Sequence, residues 1–309
     1  MMLIDQTFRG RLKEKTYIAL GSFDGLHKGH LTLIDELLKI CKEKNSRSMV
    51  YTFENHPLTI INKASIPKII MSNKEKISVL ENLGVDIVCL YKFDLEMMTM
   101  EAEEFIIFLL KRFNTKGFVV GFNYRFGYKN KGDIKLLEKL SEKYNFELIV
   151  KKAYKSEGKI VSSSSIRELI SKGSIELAND LLTRNFTLDG KIIGGKKLGR
   201  TIGFPTANLD IDKKVALPKI GVYYTNTEIE GVLFKSITSV GNNPTVNGNA
   251  TTVETYILNF SKDIYNKNIS VHFIEWIRGE KKFDSLESLK KQLEKDKMYA
   301  YQRKIKKNL

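Results

Sequence analysis

The chain has 309 residues, 42% hydrophobic and 28% charged, with 51 Lys+Arg against 36 Asp+Glu and a formal net charge of +15. This composition fits a soluble globular protein of one large or two ordinary domains with real apolar cores. No run approaches the roughly 20 apolar residues of a membrane span, "MMLIDQTFRGRLKEK" is not expected to be a leader, and a disulfide scaffold is not indicated. Cys41 and Cys89 each sit in an apolar segment and are expected to be buried thiols of a cytoplasmic protein. The basic excess favours a polyanionic partner or reflects a lysine-rich composition, and both readings stay open at this level.

Taken in order, "TYIAL" (16–20) reads as a buried strand. "HLTLIDELLKICKEKN" places Leu31, Ile34, Leu37, Leu38 and Cys41 at helical spacing. "RSMVYTF" is a second strand, followed by a helix at about 73–83, a strand "DIVCLY" and a helix at about 101–112 with Phe105, Phe108 and Leu109 inward. A strand "GFVVG", a helix at about 133–143 and a strand "FELIVKK" complete the alternation, which implies a parallel sheet with right-handed crossovers. Short helices follow "VSSSS" and span about 174–182. From about residue 184 helical periodicity stops. "FTLDGKIIG", "GVYYTNTEIEG", "KSITSVG", "VETYILNF" and "ISVHFIEWI" read as short strands between Gly or Asn turns, an antiparallel barrel or sandwich. A last helix, about 285–301, carries Leu286, Leu289, Leu293 and Met298 on its apolar side. The fold class expected is therefore α/β plus all-β, with domains at 1–183 and 184–309.

"GSFDGLHKGH" (21–30) holds two of the four histidines of the chain. It falls after the first strand of the alternation, at the carboxyl edge where open parallel sheets bind ligands. Gly21, Gly25 and Gly29 allow close backbone approach. The helix starting near Gly29 offers unpaired N–H groups to an anion, and His27 and His30 add donors. A zinc site would need about four ligands, for which His56 and the two cysteines are poor candidates. A functionless glycine turn does not account for two histidines beside Asp24.

The run His27-Lys28-Gly29-His30 resembles the HxGH motif of nucleotidyltransferases, and Gly21-Ser22-Phe23-Asp24-Gly25 narrows the resemblance to prokaryotic FAD synthetases. "FENHP" (53–57) resembles that family's Phe-x-Pro-His-Pro loop, with Asn55 where Pro is usual. "VGFNYRFGYKNKGD" (120–133) resembles its flavin- and nucleotide-side loop, and "VSSSSIR" (161–167) its Ser-Ser-Thr-x-x-Arg element. The resemblance implies a Rossmann-like domain in which FMN attacks the α-phosphorus of ATP. His27 and His30 would stabilise the reaction centre. Gly21, Phe23, Asp24, Gly25, Gly29, Asn123, Ser163, Ser164 and Arg167 would hold nucleotide and phosphate, and His56, Pro57, Tyr124 and Phe126 the flavin. The place of Asp24 in the turn stays open, structural cap or ligand.

In "GGKKLGRTIGFPTANLD" (194–210), Gly194, Gly195, Gly199 and Gly203 free the backbone, and Lys196, Lys197 and Arg200 supply charge. Thr206 and Asn208, two apart, face one side of an extended strand and offer neutral oxygens suited to Mg²⁺. "GFPTANL" (203–209) is similar to the riboflavin kinase signature, and "GVYY", "SVGNNPT", "VETYILNF" and "WIRGEKKFDSLESLKKQLEKD" follow in that family's order. The resemblance implies a barrel with a terminal helix, with Glu254 as the base for the riboflavin 5′-hydroxyl. Gly199, Arg200, Gly203 and Pro205 would lie at nucleotide, Thr206 and Asn208 at the metal, Phe283 at flavin, and Arg278 and Glu280 on the flavin-side wall or in an ion pair there. Val246 and Asn266 depart from the pattern, standing where Phe and Gly are usual.

The two resemblances together imply a bifunctional riboflavin kinase and FMN adenylyltransferase, with riboflavin, FMN and ATP as substrates and Mg²⁺ as cofactor. Oligomeric state is not legible in the sequence. One rival keeps the transferase chemistry with another phosphate acceptor, such as pantetheine phosphate or nicotinamide mononucleotide. Another is a non-catalytic flavin-responsive or RNA-binding protein. No RNA-recognition signature supports the latter, so neither nucleic acid nor a membrane is the expected partner.

Overall fold

The structure is a computed structural model and describes residues 1–61, 66–195, 198–245 and 248–306. It divides into two compact units, Met1–Pro67 with Ser72–Ser162, and Lys68–Met71 with Ser163–Leu309.

The first unit alternates strand and helix. Its strands are β1 (Met2–Ile4), β2 (Thr16–Leu20), β3 (Arg47–Phe53), β4 (Ile87–Tyr91), β5 (Thr115–Gly121) and β6 (Glu147–Lys151). Its helices are α1 (Lys28–Glu43), α2 (Leu58–Ile61), α3 (Asn73–Asn82), α4 (Leu95–Thr99), α5 (Ala102–Phe113) and α6 (Ile134–Tyr144). The strands make one parallel sheet in the order β1-β4-β3-β2-β5-β6. All five residues of β2 are buried, as a continuous apolar run covered on both faces should be. The helix ends follow local chemistry. Ser72 caps α3 and Asp133 caps α6 by accepting backbone N–H groups, and α5 and α6 stop at Asn114 and Asn145 with φ of 47° and 51°. From β2 the chain adds β3 and β4 on one side, whereas β5 and β6 add on the other. The crevice at the carboxyl ends of β2 and β5 is thus the switch point of the sheet. A small hairpin, β7 (Lys155–Ser156) and β8 (Lys159–Ile160), closes this unit.

In the second unit α7 (Ser163–Lys172) and α8 (Ile175–Leu182) precede β9 (Phe186–Ile193), α9 (Leu198–Thr201), β10 (Ala207–Asp210), β11 (Gly221–Ile229), β12 (Val232–Thr245), β13 (Gly248–Ile257), β14 (Asn268–Arg278) and α10 (Leu286–Gln302). The six strands close an antiparallel barrel in the order β10-β13-β12-β11-β14-β9, so the barrel alternative holds over the sandwich. Tyr223, Phe186 and Phe273 fill part of its interior. Beside them runs a ladder of fully buried hydroxyls. Thr227 donates to Ser236 at 2.7 Å, Ser236 and Thr225 lie 2.7 Å apart, Thr225 and Thr238 lie 2.8 Å apart, and Thr238 donates to Thr255 at 2.9 Å. Each polar group in this dry space therefore has a partner.

The terminal helix differs from the sequence reading. Leu286 and Met298 are 58% and 55% exposed, while Asp296 and Ala300 are its buried residues. Leu289 and Leu293 are half-buried. The inward stripe runs 289, 293, 296, 300, and Leu286 and Met298 fall off it. Leu31, Leu38 and Phe108, expected inward on their helices, are also half-buried. Strand β1, the short helices α2, α4 and α9, and the hairpin carry too few residues for periodicity to mark them.

Candidate active sites

In the first unit, α1 begins immediately after His27, whose backbone is extended at the N-cap, and its carbonyl accepts from His30 N at 2.7 Å and Leu31 N at 3.0 Å. The rings of His27 and His30 stack with centroids 3.8 Å apart and planes 17° apart. His27 is buried. A Cβ at Gly29 would stand 3.1 Å from the His27 ring and 3.4 Å from the Val161 carbonyl, so glycine is what lets the ring lie over the first turn. The preceding turn is held open by left-handed backbone at Phe23, Gly25 and Leu26, with φ of 48°, 82° and 37°. Phe23 is fully buried, and its ring meets His30 edge-on at 5.2 Å. Asp24 is buried as well. The result is a paired imidazole face at a helix start, suited to gather phosphate oxygens.

Asn123 is exposed just beyond β5, beside β2 in the sheet, so topology brings it to the same edge as the histidine turn. Tyr124 is half-buried and stacks on Phe126 at 5.6 Å. Phe126 is itself a core residue, and Tyr124 packs against that same core. His56 Nδ1 accepts from Leu58 N at 3.1 Å, so it starts α2, and Pro57 accepts at its carbonyl from Ile60 and Ile61. Ser163, Ser164 and Arg167 lie on α7, in the second unit, where Arg167 Nε donates to the Lys68 carbonyl at 2.5 Å.

The barrel assembles its own set. Asn208 on β10 lies opposite Glu254 on β13, so the two side chains share a face, as does Thr206 two residues back. Thr206 Oγ1 donates to Glu254 Oε2 at 3.2 Å. Gly199 packs so tightly on Phe204 O, and Gly195 on the Asn208 amide, that a Cβ at either would overlap them. Gly203 needs its positive φ of 84°. Arg200 falls on α9, and Lys196, Lys197 and Val246 lie outside the described residues. A cavity of about 390 Å³ adjoins this set, lined by Pro205, Thr206, Thr255, Phe260, Asp263 and Tyr265 among others.

Two family models match the chain, FAD synthetase over residues 10–165 and riboflavin kinase over residues 182–303. The chain is 34% identical over 292 residues to the bifunctional riboflavin kinase/FMN adenylyltransferase of Escherichia coli, covering 93% of this chain and 92% of that one. The chain belongs to the bifunctional riboflavin kinase/FMN adenylyltransferase family. The riboflavin kinase/FMN adenylyltransferase of Bacillus subtilis is 32% identical over 291 residues, with 93% and 92% covered. A solved structure described as a macrolide-efflux protein from Streptococcus pneumoniae matches with a TM-score of 0.89 at 29% identity, covering 98% of this chain and 100% of that one.

Two departures from the family pattern have a structural explanation. Asn55 bonds reciprocally to the backbone of Phe93, donating to its carbonyl at 2.9 Å and accepting its N–H at 2.8 Å, so it secures the loop that proline would stiffen. Asn266 has a φ of 64°, a conformation asparagine adopts nearly as readily as glycine. Arg278 takes part in an ion pair. It is held by Asp296 of α10, with Nη2 2.6 Å from Oδ2 and Nε 3.1 Å from both carboxylate oxygens. Phe283 is half-buried beyond β14, with Lys281 Nζ 6.0 Å from its ring. The cavity wall at 260–265 was not found from the sequence, because "FSKDIY" has neither period 2 nor period 3.6.

Proposed function

We propose that the two activities use two separate sets of side chains, in a FMN adenylyltransferase domain at 1–183 and a riboflavin kinase domain at 184–309. What supports this reading is that the phosphate-handling groups fall on different elements. The histidine pair stands at the switch point of a parallel sheet, and a carboxylate with two neutral oxygens stands on barrel strands. In the kinase, Glu254 takes the proton of the riboflavin 5′-hydroxyl as that oxygen attacks the γ-phosphorus of ATP and ADP leaves. The Thr206 hydroxyl, donating to Oε2, orients the carboxylate. Thr206 and Asn208 give the oxygen donors that suit a hard cation, and Mg²⁺ carried with ATP would supply neutralisation of phosphate charge there. Gly199, Arg200, Gly203 and Pro205 border the nucleotide.

In the adenylyltransferase, the FMN phosphate oxygen attacks the α-phosphorus of ATP and pyrophosphate leaves. The protein contributes position and charge rather than a covalent intermediate. His27 and His30 face the charge that builds on the phosphates. Asn123 and the turn residues Gly21, Phe23, Gly25 and Gly29 shape the nucleotide side, and His56, Pro57 and Tyr124 the flavin side. Ser163, Ser164 and Arg167 keep the phosphate-holding role that their motif implies. The enzyme works in the cytoplasm. Incubation with riboflavin, ATP and Mg²⁺ followed by chromatographic separation of flavins tests the assignment. Glu254→Ala is expected to abolish FMN formation and spare FAD formation from supplied FMN, and His30→Ala the reverse. Loss of both activities in either variant would refute separate sites.

A further inference from the structure

The roles above leave a buried lysine unused. Lys76, on α3, is 5% exposed. Its Nζ lies 3.1 Å from the carbonyl oxygen of Ser22 and 3.5 Å from Thr52 Oγ1. Thr52 Oγ1, from the end of β3, donates to that same carbonyl at 2.8 Å. A hydroxyl and an ammonium therefore converge on one peptide oxygen. Lysine is almost never buried this far unless something uses its charge. Burial pushes its pKa down to about 8, and the Asp24 carboxylate pulls it back up.

The gripped peptide is where the backbone most needs holding. Ser22 precedes Phe23, and Phe23 and Leu26 are non-glycine residues with left-handed φ of 48° and 37°. Such geometry persists only where its surroundings over-determine it. From there the contacts run directly to the chemistry: Phe23 packs edge-on against His30 at 5.2 Å, and His30 stacks on His27 at 3.8 Å. Asp24, between Phe23 and Gly25, is buried as well.

We propose that Lys76 is a positioning residue for adenylyl transfer. By gripping the Ser22 carbonyl with Thr52, it holds the turn of residues 22–26 and thereby fixes the rings of His27 and His30. The inference rests on the reading of that histidine pair as the adenylyl-transfer site. A lysine kept only for packing would be replaceable by methionine, of similar length, without loss of rate.

Three variants of the full chain test this: Lys76→Met, Thr52→Val and His30→Ala. The readouts are kcat and KM for FAD formation, thermal melting by circular dichroism, and the ring ¹H–¹³C resonances of the four histidines. Lys76→Met is expected to lower kcat on the order of 100-fold, as for displaced catalytic groups, with KM for FMN and ATP within about threefold. It should move the His27 and His30 resonances and leave His272 in place. Thr52→Val keeps the cation and loses one of the two bonds to Ser22, and is expected to lower kcat about tenfold. If Lys76→Met does not fold, Thr52→Val alone decides. A folded variant with kcat within about twofold of the parent, or with lost rate but unmoved His27 and His30 resonances, overturns the inference. An active His30→Ala would instead overturn the site assignment on which it rests.

Discussion

Arg278 and Asp296 give the sharpest energetic prediction. The carboxylate is 2% exposed and the guanidinium side chain 21%. Asp296 accepts two bonds from Nε, one from Nη2 and one from Gln292 Nε2 at 2.9 Å. Asp296→Asn removes the charge and turns one acceptor into a donor facing donors. Breaking a buried pair costs about 3–5 kcal/mol, and the water that reaches Arg278 trims this to about 2–4 kcal/mol. With a urea slope of about 2 kcal/mol/M for a domain of this size, the midpoint should fall by about 1–2 M. Trp276, the only tryptophan of the chain, lies two residues away on β14, so its fluorescence follows the barrel and not the first unit. Arg278→Met should also lower the midpoint, and the double variant should lose less than the two singles summed. A midpoint moved by less than about 0.2 M, or additive singles, would refute the reasoning. A rise in KM for riboflavin in Arg278→Met with the midpoint unmoved would return Arg278 to the flavin.

Other outcomes follow from the same geometry. Gly29→Ala places a Cβ 3.1 Å from the His27 ring and is expected to slow FAD formation about 10- to 100-fold while FMN formation holds. Equal rates by flavin chromatography would show that the stack is not needed. His272 is buried, bonds Thr187 Oγ1 at 2.8 Å and Glu228 Oε2 at 3.3 Å, and has its pKa lowered by burial against the pull of Glu228 and Asp189. The unfolded chain therefore takes up the proton first as pH falls below about 6.5, so barrel stability should drop there and recover above it. His272→Gln should flatten that part of the Trp276 midpoint-against-pH curve, and an unchanged slope would exclude His272 as its source. Asn55→Ala removes both bonds to Phe93, worth about 1–3 kcal/mol. Faster hydrogen exchange at the Phe93 amide checks it, and unchanged protection would mean that another group holds the loop.

The alternation of β2, α1, β3 and their successors was legible because each element is long enough to show its period. The antiparallel run after residue 184 was legible because its strands are β-branched and separated by turn residues. Glu254 was placed by resemblance alone, its strand neighbours being silent on which face was used. The register opposite Asn208 then gave it a physical partner set. What stayed hidden is mostly contact across distant parts of the chain. Nothing in "NKEKISVL" separates Lys76 from the solvated lysines around it. Nothing in "WIRGEKKFD" tells that Arg278 pairs with Asp296 of α10. Both depend on residues 18 or more positions away in sequence, where local pattern carries no information.

The hydroxyl ladder inside the barrel obeys an ice rule. Each Thr or Ser owns one proton and so can donate only once. Thr255 donates to the Ile237 carbonyl at 3.4 Å, and Thr238 donates to Thr255. With its proton spent, Thr238 must accept from Thr225, and Thr225 in turn must accept from Ser236, which accepts from Thr227. Two bonds whose donors heavy-atom positions leave ambiguous are thereby assigned by counting. The column is single-file and one-way, from Thr227 to the Ile237 carbonyl, and no rung can turn over unless all of them do. The donors run in one sense to Thr255, which borders the cavity next to the Thr206 set. The barrel thus carries a fixed internal polarity that none of its charged residues supplies.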